Sequence, residues 1–272
     1  MRVTNPSDDA PVAGGLSPAR RDVEVRPCVL CVDREPLEFE FTMAFQPIVD
    51  LRSRSVYAYE SLIRGKDGSG AAGVLAQVTD QNRYTFDQAC RVTAVEMAAR
   101  LGITCYLSIN FLPNAVYEAA TCIRATLAAA HRCRFPVENL IFEFNEGERA
   151  TDQAHLKSIV ADYKRQGFKT ALDDFGAGYA GLNLLAEFQT DIIKLDIGLI
   201  HDIDRDPVRT TIVRSVLAMC HDLHIQVIAE GVESLGEMHL LRELGVHLFQ
   251  GYLFARPGFE MLPAIDWPPD LF

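Results

Sequence analysis

The sequence contains no apolar run as long as the roughly 18 residues that a transmembrane helix needs, although 49% of its residues are hydrophobic and 23% are charged. We also expect no secretory leader, because residues 1–27 are rich in proline, glycine, aspartate and arginine and include no apolar core. This composition is typical of a globular protein with a sizeable core. We therefore expect a cytoplasmic protein that makes no membrane contact through this segment, although a fragment cut from a membrane protein would have the same composition.

Basic residues are in short supply. The 37 acidic residues outnumber the 26 lysines and arginines, which gives a formal net charge of −11 at pH 7. Since long nucleic acids are bound through basic faces, this balance argues against binding to a DNA or RNA duplex. It still permits a small phosphorylated ligand, provided that metal ions offset the like charges.

Cysteines in metal-binding spacing are scarce. The seven cysteines are scattered, and an odd number in a reducing compartment predicts free thiols. Cys28 and Cys31 form a C-x-x-C pair, and no second such pair follows. The pair could be half of a zinc site, a redox pair or neither.

Two parts of the chain differ in character. Residues 1–37 are predicted to be a flexible lead-in, because prolines and glycines interrupt any periodicity there. In residues 38–272, a strand with period-two patterning near 39–45 is followed after a short turn by a second strand near 56–59. So short a connection makes the two strands antiparallel if they pair directly. Strand-then-helix units then recur at intervals of about thirty residues, and no G-x-G-x-x-G motif follows the first strand. The predicted fold is α/β, a (β/α)8 TIM-like barrel with one antiparallel strand.

A pair of adjacent aspartates stands out within this pattern. Asp173 and Asp174 end a predicted buried strand and are followed by Gly176 and Gly178. Neighbouring side chains on a strand point to opposite faces, so both can serve one site only if the backbone turns, and glycine permits that turn. Paired carboxylates at a strand end suit divalent cations. Taken alone, the pair also fits a turn whose oxygens cap a helix.

Polar residues mark the carboxyl end of nearly every predicted strand. These residues are Glu60, Asn110, Glu143, Asp173 with Asp174, Lys194, Glu230 and Gln250. In a barrel all of these ends open onto one face, where barrel enzymes carry their chemistry. So many converging carboxylates cannot all stay ionised without a cation. A set of oxygen ligands without histidine or cysteine favours Mg²⁺ or Mn²⁺ over zinc.

From about residue 39 to 257 the chain resembles the EAL-domain cyclic di-GMP phosphodiesterases. The signature tripeptide is present as Glu60-Ser61-Leu62, with serine in place of the usual alanine. The other matching motifs are Gln46-Pro47-Ile48, Asn110, residues 173–179, residues 193–196, residues 229–233 and residues 250–254. The family fold is a (β/α)8 barrel with one antiparallel strand. Two departures, at residues 144–145 and 180–181, flank the loop after the aspartate pair and bear on its stability and on dimer coupling.

The resemblance implies a role for each matched residue. Glu60, Asn110, Glu143 and Asp173 would hold one metal ion, and Asp173 would bridge to a second ion that Asp174 also holds. The catalytic set would be Lys194 beside the attacking water, Glu230, and Glu146 propping the loop after Asp174. The substrate would meet Gln46, Leu62, Arg64, Asp196 and Gln250, with Glu230 and Gln250 reaching the metals directly or through water.

The implied activity is hydrolysis of cyclic di-GMP to linear 5′-pGpG, with two Mg²⁺ or Mn²⁺ ions, by a homodimer. Lys194, crowded by cations, would have a lowered pKa and act on the water as base or orienting group; alternatively it forms a salt bridge with Asp173 or Asp196. Three other functions stay open: a non-hydrolysing cyclic di-GMP receptor, a protein-interaction module and a different metal-dependent barrel hydrolase.

Overall fold

The computed structural model describes residues 36–116, 118–147, 153–178 and 180–268. The Cys28–Cys31 pair and all but the last two residues of the predicted lead-in lie outside these ranges. The strands are β1 (Phe41–Asp50), β2 (Ser55–Gly65), β3 (Tyr106–Asn110), β4 (Leu140–Asn145), β5 (Lys169–Phe175), β6 (Ile192–Leu195), β7 (Gln226–Ala229), β8 (Leu248–Phe249) and β9 (Gly258–Phe259). The helices are α1 (Ala71–Leu75), α2 (Arg83–Arg100), α3 (Ala119–Cys122), α4 (Arg124–Cys133), α5 (Gln153–Arg165), α6 (Gly181–Glu187), α7 (Ile197–Ile200), α8 (Pro207–Asp222) and α9 (Leu235–Glu243).

Strands β1 to β8 close into a barrel. Neighbours from β2 to β8 pair in parallel in chain order, and β1 closes the ring by pairing antiparallel with both β8 and β2. The short β9 pairs with β1 at Ala44 and Phe45, beyond the stretch that β8 covers. The turn between β1 and β2 is too short for a crossover, so the opening pair is antiparallel. The predicted barrel with one antiparallel strand is confirmed.

Two apolar cores lie on the two sides of the barrel wall. Alternate strand residues pack outward against the helices, as Leu140 and Phe142 do, while Ile141 between them belongs to a separate cluster inside the barrel. Strand β1 is buried along eight consecutive positions rather than at every second one. The period-two pattern expected there is absent because the strand is covered on both faces.

An apolar floor fills the interior below the polar residues. We use this name for Ile48, Ala58, Ile141, Ala171, Ile192, Ile228 and Leu248. On six strands a polar residue follows the floor residue by two positions, and on the reversed β1 it precedes the floor residue by two. Since residues two apart on a strand share a face, these polar side chains form one layer directly above the floor. The pairs are Ala58 with Glu60, Ile141 with Glu143, Ala171 with Asp173, Ile192 with Lys194, Ile228 with Glu230, Leu248 with Gln250, and Ile48 with Gln46.

Two strands extend further than the sequence predicts. Strand β2 runs on to Gly65, so Glu60 lies near its middle rather than at its end. The added residues are paired with β1 from Phe41 onward, which satisfies their backbone groups. Strand β5 likewise continues to Phe175. Helices α1 and α7 and strand β9 are too short to leave a periodic pattern in the sequence.

Helices α8 and α9 begin at caps that the sequence encodes. Asp206 caps α8 by accepting from the amides of Val208 and Arg209, and Pro207 occupies the first turn. Ser234 and Glu237 form a reciprocal capping box at the start of α9. No helix within the described ranges has both the length and the apolar character needed to cross a bilayer. The five cysteines in those ranges are unpaired.

Candidate metal centre

The ammonium group of Lys194 occupies the middle of the polar layer. Its Nζ lies 2.7 Å from Glu230 Oε1, 3.0 Å from Glu143 Oε2, 3.0 Å from Asp173 Oδ1 and 3.4 Å from Glu60 Oε2. The lysine side chain is 1% exposed. Each of these residues comes from a different strand or strand end, so barrel closure alone brings them together. The salt bridge to Asp173 that was one alternative for Lys194 is present, together with three others.

The carboxylates around Lys194 fall into two groups that share one member. Oxygens of Glu60, Glu143 and Asp173 lie within 4.8 Å of one another, and so do oxygens of Asp173, Asp174 and Glu230. Asp173 therefore lies between two potential cation positions. This is the arrangement that a bridging carboxylate needs in a two-metal site.

A bulge in β5 brings both aspartates to this site. The β5–β6 pairing is irregular between Leu172 and Phe175, and Asp174 adopts a left-handed backbone with φ of 53°. Gly176 follows with φ of 100°, as expected for a residue that permits the turn. Gly178 has a different role from the one expected, because its φ is not positive. A Cβ there would lie 3.0 Å from Oε1 of Glu146, so glycine leaves room for that carboxylate.

Glu146 holds the loop after the aspartate pair. Its Oε2 accepts from the amides of Gly176 at 2.8 Å and Gly178 at 3.4 Å, and its Oε1 accepts from Ala180 at 2.9 Å and Gly181 at 2.7 Å. One side chain thus accepts hydrogen bonds from four backbone amides, which would otherwise be exposed or left unpaired in a loop. Glu146 is therefore placed beneath the loop rather than among the carboxylates.

Neighbouring polar side chains fix the carboxylates. Ser108 donates to Glu143, and Asn110 donates to Glu60 at 3.0 Å. Gln250 donates to Oε2 of Glu60 at 2.6 Å and to Gln46 at 3.2 Å. Gln46 in turn donates to the carbonyl of Ala255 at 3.1 Å.

Sequence reasoning missed two of these supporting residues. Ser108 lies two positions before Asn110 on β3, and this period-two spacing could have revealed it. Asn145 at the end of β4 donates to Asp174, a contact between residues 29 positions apart that no sequence pattern signals.

Burial and like charge raise the pKa values of several acids. Burial, with Glu60 and Asp173 nearby, raises the pKa of Glu143 to about 8 although Lys194 opposes the shift. Burial likewise raises the pKa of Glu230 well above its ordinary value. Burial by itself would lower the pKa of Lys194, but the surrounding carboxylates raise it well above the ordinary value. The lowered pKa expected of Lys194 applies to a lysine crowded by bound cations, and it stays a prediction for the metal-bound state.

The residues present fit divalent metal ions. The donor set consists of carboxylate and amide oxygens, which suits Mg²⁺, Mn²⁺ or Ca²⁺ better than zinc. Gln250 Oε1 is buried and accepts no hydrogen bond, and Asp173 Oδ1 lies near Lys194 without accepting one in good geometry. A buried oxygen that accepts no hydrogen bond costs free energy, and coordination to a cation would satisfy it.

An acidic cleft opens above the polar layer. Its volume is about 310 Å³, and Gln46, Asp196, Glu230, Gln250 and Tyr252 are among its lining residues. Asp196 also caps α7 by accepting from the amide of Gly198 at 2.8 Å. Three of the five predicted substrate contacts, Gln46, Asp196 and Gln250, therefore line this cleft.

The other two predicted substrate contacts line a second pocket. Leu62 and Arg64 face a cavity of about 260 Å³ between β2, α1, α2 and the segment after β3. Asn110 also lines this cavity and is hydrogen-bonded to Glu60, which lines the cleft. The two spaces therefore adjoin at the Asn110–Glu60 contact.

Comparison with known proteins gives a consistent match. The EAL domain family model matches residues 34–257. The chain is similar to the blue light- and temperature-regulated antirepressor BluF of Escherichia coli, with 34% identity over 226 residues that cover 83% of this chain and 56% of BluF. Other relatives are named cyclic di-GMP phosphodiesterases. The chain spans about half or less of the curated relatives it matches.

Two solved structures are similar over most of the chain. One is a standalone versatile EAL protein from Vibrio cholerae in its c-di-GMP-bound form, with 54% identity, a TM-score of 0.83, and coverage of 87% of this chain and 99% of that one. The other is Klebsiella pneumoniae BlrP1 in a manganese/cy-diGMP complex, with 34% identity, a TM-score of 0.77, and coverage of 84% of this chain and 58% of that one.

Proposed function

Because this chain belongs to the EAL domain family, we propose that it is a metal-dependent phosphodiesterase that hydrolyses cyclic di-GMP to linear 5′-pGpG. The observation that carries the proposal is that two clusters of carboxylate side chains share Asp173 and lie beneath an open cleft. The cyclic dinucleotide bound in the two similar structures and the names of the relatives support the choice of substrate.

Two Mg²⁺ or Mn²⁺ ions would be held by residues already in place. Glu60, Asn110, Glu143 and Asp173 would hold one ion, and Asp173, Asp174 and Glu230 the other. Such a pair of ions, when bound, lowers the pKa of a water molecule and stabilises the charge on the reacting phosphate oxygens. The cations would also offset the acidic cleft, which otherwise repels a phosphodiester.

Two side chains of the polar layer are suited to handle the proton of the attacking water. Burial raises the pKa of Glu230, which makes its carboxylate a stronger base than that of an ordinary glutamate. Lys194 lies 2.7 Å from Glu230, where it would orient that carboxylate and the water or act as the base. Glu146 acts at a distance, by holding the loop that carries Asp174.

The two adjoining spaces suit a ligand with two bases. The cleft offers the amides of Gln46 and Gln250, and the second pocket offers the apolar side chain of Leu62 and the guanidinium of Arg64. A cyclic dinucleotide extends from its central phosphate ring in two directions, so one half would enter each space. From the family resemblance we also propose that the protein is cytoplasmic and that two chains associate as a homodimer. Sedimentation of the purified chain tests the association.

The similarity to an antirepressor supports a second candidate. BluF is named for a regulatory action on another protein, so this chain could instead bind cyclic di-GMP or a protein partner without hydrolysis. Against this candidate, all positions that the proposed reaction needs are occupied by suitable side chains.

The test is incubation of the purified chain with cyclic di-GMP in Mg²⁺, Mn²⁺, Ca²⁺ or chelator, followed by chromatography of the products. We expect 5′-pGpG with Mg²⁺ or Mn²⁺ and none with chelator. Tight nucleotide binding without product would favour the receptor, and absence of binding by calorimetry would favour the protein-interaction module. A product from other phosphodiesters but not from cyclic di-GMP would indicate a different hydrolase.

A further inference from the structure

A buried ion pair lies beside the candidate metal centre and takes no part in the proposed reaction. Asp87 and Arg91, one turn apart on α2, are 2% and 0% exposed, and their side chains meet at 2.5 Å. Arg91 also donates to the hydroxyl of Tyr163 on α5 at 3.1 Å, and Tyr163 is fully buried. Transfer of the two charges from water to the protein interior costs on the order of several kcal/mol per ion. Such a buried pair is therefore weak evidence that it stabilises the fold.

The second oxygen of Asp87 reaches out of the helix to the chain that follows β3. Asp87 Oδ1 accepts from the amide of Leu112 at 2.9 Å. Leu112 precedes Pro113, which has no amide hydrogen, so this is the last backbone donor before the chain turns away. The amide of Phe111 is taken by the carbonyl of Glu143 at 2.9 Å. Both residues after Asn110 are thus tied down, one to β4 and one to α2.

Asn110 directly precedes this anchored segment. It is the last residue of β3, and its amide bonds to Glu60 at the junction of the cleft and the second pocket. Asp87, Leu112 and Asn110 line that pocket together with Leu62 and Arg64. A shift of the segment after β3 would therefore move an expected metal ligand and one wall of the pocket at the same time.

We propose that Asp87 is a positioning residue, which Arg91 pairs with and orients, and which fixes Asn110 and the pocket wall through the amide of Leu112. This inference rests on the proposed function for the role of Asn110 toward the metal. Residues that hold a metal ligand in place typically change metal affinity by about 10- to 100-fold when they are removed.

Two double variants separate this role from folding. Asp87→Asn alone would leave Arg91 buried and unpaired and could unfold the chain. We therefore compare D87N/R91M with D87L/R91M, since both lack the ion pair but only asparagine can accept from Leu112. Tyr163→Phe is the control, because it removes another partner of Arg91 and leaves the Leu112 contact intact.

The measurements are the Kd for Mn²⁺ by electron paramagnetic resonance and the deuterium exchange of the Leu112 amide without metal. We expect D87L/R91M to bind Mn²⁺ about 10-fold more weakly than D87N/R91M and to lose protection at Leu112, with Tyr163→Phe close to wild type. Equal Kd values and equal exchange in the two double variants would overturn the inference. Mn²⁺ binding by the wild-type chain without hydrolysis would overturn the proposed function alone, whereas failure of the wild-type chain to bind Mn²⁺ would overturn both.

Discussion

The ammonium nitrogen of Lys194 lies 2.7 Å from Oε1 of Glu230, at the carboxyl ends of two adjacent strands. The lysine is fully buried, and the residue two positions before each of them belongs to the apolar floor. With water excluded from below, the attraction between the two charges is stronger than at a surface. The single cation thereby partly compensates a ring of carboxylates that would otherwise repel one another.

Replacement of Lys194 by methionine should make stability depend on metal. Without the ammonium group the carboxylates lose their internal counter-charge, and we expect a loss of about 3 kcal/mol or more in chelator. Added Mn²⁺ should restore much of this loss, because an ion that binds only the folded chain stabilises it. Thermal unfolding with and without Mn²⁺ measures both effects. Lys164→Met is the control, since its pair with Asp191 is partly exposed and should contribute less than about 1 kcal/mol.

Metal affinity should rise with pH. The pKa of Glu143 is raised to about 8, so at pH 6 this carboxyl carries a proton that a metal ion must displace. As pH rises toward 8 the proton is lost and the apparent affinity for Mn²⁺ increases, after which it levels off. Titration of Mn²⁺ at several pH values measures the slope. An affinity that does not change between pH 6 and 8 would contradict the assignment of Glu143 as a ligand.

Hydrolysis should depend on the shared carboxylate. Asp173→Asn keeps the shape of the side chain but removes the charge of the residue that belongs to both carboxylate clusters. Glu60→Ala removes a member of one of the two clusters. We expect turnover of cyclic di-GMP to fall by a factor of about 10³ or more, with the circular dichroism spectrum unchanged. Glu187→Gln, an exposed change on α6, serves as control. Turnover within tenfold of wild type in either variant would defeat the assignment.

Loss of the Glu146 charge should loosen the loop that follows the aspartate pair. In Glu146→Gln one oxygen is replaced by an amide group that donates, so two of the four backbone amides lose their acceptor. We expect a loss of about 1–3 kcal/mol in stability and faster deuterium exchange in residues 176–178 and 180–181. Glu96→Gln, at an exposed ion pair, is the control. Unchanged exchange in the loop would show that Glu146 does not hold it.

The capping box of α9 should make part of the stability sensitive to acid. Burial tends to raise the pKa of Glu237, but the amides of Glu233, Asp202 and Ser234 lower it overall. A carboxyl whose pKa is lowered on folding stabilises the folded chain at pH values above its ordinary pKa of about 4.3. This stabilisation is lost as the pH falls. Glu237→Gln should therefore cost about 1 kcal/mol at pH 7 and less at pH 4. Urea unfolding at both values tests this, with exposed Glu243→Gln on the same helix as control.

The composition and order of the chain determined much of the fold. Alternation of strands and helices predicts the barrel, and the short turn before Ser55 predicts the antiparallel start. These features are local, since they depend on side chains that are neighbours along the chain. For the same reason the sequence indicated which residues carry oxygen ligands, because each follows an apolar run that must be buried. The Asp173–Asp174 pair was visible in this way.

Only the closed barrel decided how these residues meet. Glu60 is 190 positions from Gln250 and 134 from Lys194, and the three become neighbours because β1 joins β8 to β2. The left-handed backbone at Asp174, the four amides held by Glu146 and the raised pKa of Lys194 depend on contacts across the ring. Such contacts are set by packing and by the dielectric surroundings of the folded state, and no local pattern in the chain encodes either of them.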